Sequence, residues 1–267
     1  MRAGPSLMLL TGLAALPVAS PVRAQTPEPL VTDRPDQTES TATVPGGVVQ
    51  LEVGARFTNN EEGAVHVREL TGPSILVRLG VGRRLEARAG FSGWVRQSVP
   101  SATAESGIGD VNIGFKYRVS AGAGLRPSFA IVTTVTLPTA EEGFGSENVQ
   151  PTVLLAAAHQ LADRVGIGYN LGTAWTTVTG AAGSETSVDV PYSVSLAVSV
   201  SERVGAFVES FGSVGLRGDG PGRHSVDAGA TMLVGANVQL DVSGGVALDA
   251  HAADWFLGAG ASLRLPR

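Results

Sequence analysis

Between residues 48 and 265 the chain alternates large apolar side chains with small or polar ones at a period of two, segment after segment. The stretch Arg164 to Thr176 is the clearest: Val165, Ile167, Tyr169, Leu171, Thr173 and Trp175 take one parity, and Gly166, Gly168, Asn170, Gly172, Ala174 and Thr176 the other. Successive side chains of a strand point to opposite faces, so each such segment predicts a strand with one apolar and one small, polar face. Twelve are predicted, near 48–58, 70–81, 85–97, 109–119, 125–137, 147–160, 164–176, 186–200, 203–213, 223–235, 238–249 and 255–265. Their connections alternate as well. Tight ones at 82–84, 120–124, 161–163, 201–202 and 235–237 interleave with longer ones at 59–69, 98–106, 138–146, 179–185, 215–223 and 250–254. The expected fold class is therefore all-β, an antiparallel transmembrane β-barrel of about 12 strands with an irregular N-terminal leader, because such barrels have short turns at one rim and longer loops at the other.

The ends and the composition sharpen this picture. Residues 1–24 read as a signal peptide, with Arg2, an apolar run Leu7–Ala15 and small residues Val22 and Ala24 before the cleavage point, which makes Gln25 the first mature residue. The apolar run is too short to span a bilayer comfortably. With no long apolar run after residue 24, an exported chain is periplasmic, secreted or in an outer membrane; the strand and loop pattern makes the outer membrane the expected location and its lipid the expected surroundings. The division expected is signal peptide 1–24, irregular leader 25–47 and barrel 48–267. Loss of Arg2 and Arg23 makes the formal charge of −5 more negative by two, which argues against a nucleic-acid binder. There is no cysteine, so disulfides, thiolate metal sites and a cysteine nucleophile are excluded.

Charge is confined to the polar parity. Glu52, Arg56, Arg78, Glu86, Arg88, Arg96, Asp110, Lys116, Arg118, Arg126, Glu209, Asp227, Asp241 and Arg264 all fall there. Ions are costly in hydrocarbon, so these are candidate lumen-lining residues. One reading is a wet solute path whose charges set preference; the other is a salt-bridged, side-chain-filled barrel that conducts nothing. The leader is rich in Pro, Thr, Glu and Asp and has too little apolar surface to fold alone. Within it TDRPDQTES, Thr32 to Ser40, reads as a solvated, turn-rich segment. The alternative is a plug or docking segment in which Arg34 and Asp36 meet charges at the lumen mouth. His66, His159, His224 and His251 are dispersed, with neither a nucleophile–base arrangement nor metal-ligand spacing, so no catalytic residue, metal or cofactor is expected.

Four stretches carry a family resemblance: TDRPDQTES, VPGGVVQLEVGARF leading into the first strand, LPT and GFGS within 137–146, and NVQPTVLLAAAHQLADRVGIGYNLG from Asn148 to Gly172. They resemble the outer-membrane β-barrel transporter family of the MetA-pathway of phenol degradation type. The resemblance implies a small barrel that moves solutes, linked in some members to the catabolism of aromatic compounds, and it carries over no catalytic residue. The closing strand departs from the usual outer-membrane pattern, ending in Leu265, Pro266 and Arg267 rather than an aromatic residue. The expected function is a channel or transporter for small solutes, aromatic ones among them. A structural or adhesive barrel without transport and a soluble periplasmic all-β protein stay open. Lumen packing separates the first alternative, and the second turns on whether the apolar parity faces lipid or a second sheet. Oligomeric state is not encoded in alternation.

Overall fold

A computed structural model describes residues 30–265, with the exception of 63–64, 101, 124–125, 181–182 and 218–221. The expected signal peptide, 1–24, and residues 25–29 lie outside the described residues. From the leader the chain enters β1 (Val49–Glu62), β2 (Val65–Val81), β3 (Leu85–Phe91), β4 (Trp94–Ser98), β5 (Glu105–Ile108), β6 (Val111–Ala123) and β7 (Arg126–Leu137). It continues through β8 (Gln150–Ala162), β9 (Val165–Gly180), β10 (Gly183–Ser199), β11 (Val204–Arg217), β12 (Arg223–Leu233), β13 (Val238–Ala247) and β14 (Trp255–Leu265).

Two pairs of these are single wall strands with a break. β2 pairs with β3 at Ile75 and Phe91 and, in the same register, with β4 at Thr71 and Val95. Likewise the pairing of Phe91 with Val111 runs on into that of Trp94 with Ile108. The wall thus has twelve antiparallel strands. It closes because Gln50 of β1 pairs with Arg78 of β2 on one side and with Arg264 of β14 on the other. Closure leaves no edge strand with unpaired backbone groups, which is what hydrocarbon demands.

The burial pattern is inverted relative to a soluble protein. Arg78, Lys116, Gln50, Glu52, Glu86 and Glu209 are among the largest fully buried side chains, while Ile113, Phe115, Leu155, Leu171, Val242 and Leu257 are exposed. All of the latter share the outward parity, and among the described residues no second sheet covers them. The apolar face is therefore a lipid face, and the interior holds the charge.

Three features depart from the sequence reading. Residues 59–62 and 65–69, and 179–180 and 183–185, lie in strands and not in loops: Asn59 pairs with Arg68 and Thr179 with Ser184, so the ladder continues as far as Glu62–Val65 and Gly180–Gly183. Polar side chains there are compatible with paired backbone above the apolar zone, and alternation cannot distinguish the two. The loop after β7 runs to residue 149 instead of 146. The third departure is a reversal of parity in the upper part of β2, β4 and β5. Between Gly54 and Arg56 of β1 the register slips by one against β2 at Gly72–Pro73. Gly72 has φ +154, and a Cβ there would crowd Ala55. Such a bulge turns the side chains beyond it to the other face. β4 and β5 follow in register, so Val95 is buried whereas Trp94 and Ile108 are exposed. Arg96 goes with Trp94: it is exposed and pairs across the ladder with Leu70. Arg96 is thus outside the lumen, contrary to its parity in an uninterrupted strand.

Candidate functional site

The leader does not trail away from the barrel. Residues 30–47 contain no regular strand and run inside the lumen, in the half bounded by the short turns, before reversing into β1. The reversal is made by close backbone approach. The Gly47 N–H donates to the Gly80 carbonyl at 2.8 Å and the Gly80 N–H to the Val48 carbonyl at 3.0 Å. A Cβ on Gly80 would overlap the Pro45 and Val44 carbonyls, which is why only glycine fits that wall position.

On one wall the charges of β1, β2, β3 and β6 meet the acids of the leader. Arg78 bonds Glu52 and Glu86, both at 2.8 Å, and Asp33 at 3.1 Å. Arg88 reaches Asp33 at 3.0 Å and Glu39 at 2.7 Å, and Lys116 reaches Asp33 at 2.8 Å and Glu39 at 3.0 Å. The wall alone brings three cations against two carboxylates here. Asp33 and Glu39 add two more carboxylates, so the excess positive charge of the wall is offset only when the leader is seated. Buried charges of this kind are tolerable when each has partners and costly when one is removed.

The opposite wall is acidic and meets the leader's cation and backbone donors. Arg34 bonds Asp241 at 3.1 Å. Its guanidinium occupies a slot made by Gly54 and Gly260, cross-strand partners on β1 and β14, where a Cβ on either would overlap it. The Gln37 N–H donates to Glu209 at 2.7 Å, the Thr38 hydroxyl bonds Glu209 and, at 2.8 Å, Ser193, and the Glu39 N–H donates to Asn170 at 2.7 Å. Thr41 bonds Ser128 at 2.7 Å. The motif TDRPDQTES therefore spans the lumen from wall to wall.

Two chambers flank this partition. Below it, a cavity of about 590 Å³ lies between the leader and the wall, bordered by Asp36, Thr38, Thr41 and Ser195 and open to the short-turn rim at Arg126. Above it, a cavity of about 430 Å³ has Gln37 at its floor, Leu154, Phe211, Phe256 and Arg56 in its walls and Ala252 and Ala253 at its roof. Phe211 and Phe256 meet edge to face at 6.2 Å, and the Arg56 guanidinium lies 4.2 Å from the Phe256 ring centre. This is a largely apolar, aromatic chamber with two cations, Arg56 against the Phe256 ring and Arg223 at its edge, a combination suited to small aromatic solutes.

The remaining charged candidates separate by height. Asp227 is buried and opposes Glu209 across the ladder. Asp110 is buried at the break between β5 and β6, and its carboxylate accepts from the N–H groups of Thr139 and Ala140, both at 2.9 Å, and of Ser146 at 2.6 Å. It anchors the loop after β7, which lays Phe144 against Gly107 at the lumen mouth. Arg118 donates to the Arg83 carbonyl at 2.7 Å and Arg264 to the Ala236 carbonyl at 3.1 Å, both at the short-turn rim, where Arg126 is exposed. His159 and His224 bond Tyr169 and Tyr192 at 3.0 and 2.9 Å, on outward-facing positions. Among the described residues no group of three His, Cys, Asp or Glu side chains is arranged to hold a metal ion.

Sequence reasoning singled out Arg34 and Asp36 but passed over Asp33, Glu39, Gly54, Gly260, Asn170 and Ser193. The acids six residues apart were visible, whereas the shared height of the two glycines was not. Their meaning depended on the leader being inside.

The chain matches the profile of the family described as the MetA-pathway of phenol degradation over residues 32–265. The chain belongs to this family. The match begins at Thr32, so it includes the lumen segment as well as the barrel. In fold the family member described here is similar to an outer membrane channel from Pseudomonas putida F1, with 13% identity, a TM-score of 0.64 and coverage of 84% of this chain and 97% of that one. It is similar also to the translocator domain of the autotransporter NalP from Neisseria meningitidis, at 14% identity, TM-score 0.54 and coverage of 82% and 89%. The NanC porin gives 6% identity, TM-score 0.54 and coverage of 81% and 100%. At these identities the likeness is one of fold. Comparison with curated proteins gives no match.

Proposed function

We propose that this barrel is an outer-membrane channel for small solutes, aromatic compounds among them, whose lumen is closed by its own leader. The observation that carries the reading is the aromatic chamber of about 430 Å³ standing directly on a partition held by hydrogen bonds and ion pairs. A solute entering from the long-loop side meets Phe211, Phe256 and Arg56 first. It then meets Gln37, Thr38 and Glu39, which are held by hydrogen bonds and ion pairs and not by covalent structure. Passage requires those contacts to exchange for water or solute. The family's phenol-degradation description and the channel named in the structure from Pseudomonas putida F1 support the same direction. Arg34 and Asp36 belong to the partition in this reading, and Glu52, Arg78, Glu86, Arg88, Lys116, Glu209 and Asp241 form its seat.

The dense pairing of that seat favours a second reading, a filled structural barrel without transport. Single-channel recording in planar bilayers separates the two. The whole mature chain is compared with a form lacking residues 25–47 and with the full-length Glu39→Gln variant. The channel reading expects small or rare steps from the intact chain and larger, longer ones from both altered forms. Silence from all three, with the barrels shown to be folded, would establish the filled barrel.

A further inference from the structure

The short-turn rim carries a feature that the solute path does not use. Leu85, the first residue of β3, pairs with Tyr117, yet β6 continues to Ala123. The β6–β7 hairpin therefore stands well beyond the β2–β3 turn and leaves a notch beside it. The notch has a volume of about 710 Å³ and is lined by Arg83, Arg84 and Arg118 together with Val81, Leu85 and Tyr117.

We propose that this notch binds the phosphate headgroup of an anionic phospholipid in the periplasmic leaflet. Its chemistry is divided in the way a lipid is. Val81, Leu85 and Tyr117 are 46%, 37% and 41% exposed on the outward parity, forming an apolar strip that ends at the notch. Tyrosine at that level is the residue type that marks a bilayer interface. The arginines sit at the end of the strip, at headgroup height. Arg118 is held in place by its bond to the Arg83 carbonyl at 2.7 Å, which leaves other guanidinium donors for a ligand. The ion pairs among the described residues lie elsewhere, at Arg34, His66, Arg78, Arg88 and Lys116, so these three cations lack a protein anion. Guanidinium groups match phosphate oxygens in pairs, and clustered basic side chains beside a bilayer concentrate anionic lipid. Arg164 and Arg203 continue the basic charge around the rim, but Asp163 and Glu202 precede them in their turns, and no acid flanks Arg83 and Arg84 in theirs.

The test uses the full barrel in nanodiscs of phosphatidylcholine with a minor share of phosphatidylglycerol, followed by native mass spectrometry of the lipid it retains. The unaltered protein should keep phosphatidylglycerol roughly tenfold above its bulk share. Arg83→Gln/Arg84→Gln, which preserves the carbonyl that holds Arg118, should fall to near the bulk share. Arg164→Gln/Arg203→Gln should retain the enrichment. Folding of each variant is checked by heat-dependent gel mobility, and Arg118→Lys serves as a milder substitution if the double variant fails that check, with partial loss expected. Retention at the bulk share by the unaltered protein would overturn the proposal. So would equal loss in both double variants, which marks a diffuse rim effect, or full displacement by excess inorganic phosphate, which marks a free-anion site.

Discussion

Asp33 links more of the lumen than any other leader side chain, touching Arg78, Arg88 and Lys116 and accepting from its own neighbour Ser40 at 2.7 Å. Replacing it by asparagine takes one carboxylate partner from each of three buried cations while altering no wall residue. Seating of the leader should weaken by on the order of 3 kcal/mol, the usual consequence of breaking a buried charge pair. Amide exchange of residues 30–47 should accelerate accordingly in Asp33→Asn while the strands keep their protection, and unchanged leader protection would refute the assignment. The wall side of this site was legible from parity, because a charge on a lipid-facing strand has nowhere to go but inward. The pairing was not. Which cation meets which acid depends on height along the strand, and a sequence gives parity more readily than height. Arg34 shows the gap plainly, since its slot exists only because Gly54 and Gly260 lie opposite each other on strands that are first and last in the chain.

At the scale of elements, the strands were readable because each is a run of alternation ended by turn residues, and the twelve expected walls are the twelve observed. What escaped were places where backbone geometry overrides the period. Gly72–Pro73 slips the register and carries Arg96 to the outside, and nothing in the alternation of 85–97 signals that its neighbour has a bulge. The hairpins at 59–69 and 179–185 escaped for a different reason, polar strand and polar loop having the same composition. The loop between β13 and β14 offers a pH test. Its Asp249 carboxylate accepts from the backbone N–H groups of His251 at 2.8 Å, His224 at 2.6 Å and Ala252 at 3.2 Å. These bonds, that from His251 foremost, outweigh desolvation and hold its carboxyl below the usual carboxylate range. A depressed folded value means that the stabilisation is complete above the unfolded carboxylate value, near 4, and is lost as pH falls through the folded value. Ala252 is part of the roof of the upper chamber. Its amide should therefore be protected from exchange at neutral pH and lose protection below about pH 4, whereas in Asp249→Ala it should be unprotected throughout. A loop equally ordered at acid and neutral pH would contradict this.

For the whole molecule, stability comes from a closed ladder in lipid, and its sensitivity should follow depth. Leu171 is 57% exposed near mid-height on β9, and Leu161 is 59% exposed at the short-turn end of β8. Arginine at position 171 should cost about 2–4 kcal/mol and at position 161 no more than about 1 kcal/mol, because the penalty for charge peaks at the bilayer centre. Urea titration of the barrel refolded into liposomes would measure both, and equal costs would place the membrane at a different height. The Gly54–Gly260 slot also bears on how such a chain is completed. Half of it is contributed by β1, which follows the leader at once, and half by β14, the last strand in the chain. Asp241, which holds the other side of Arg34, is on β13. Arg34 can find its final place only when the two ends of the chain have met, so the seated arginine is a mark that the ring has closed.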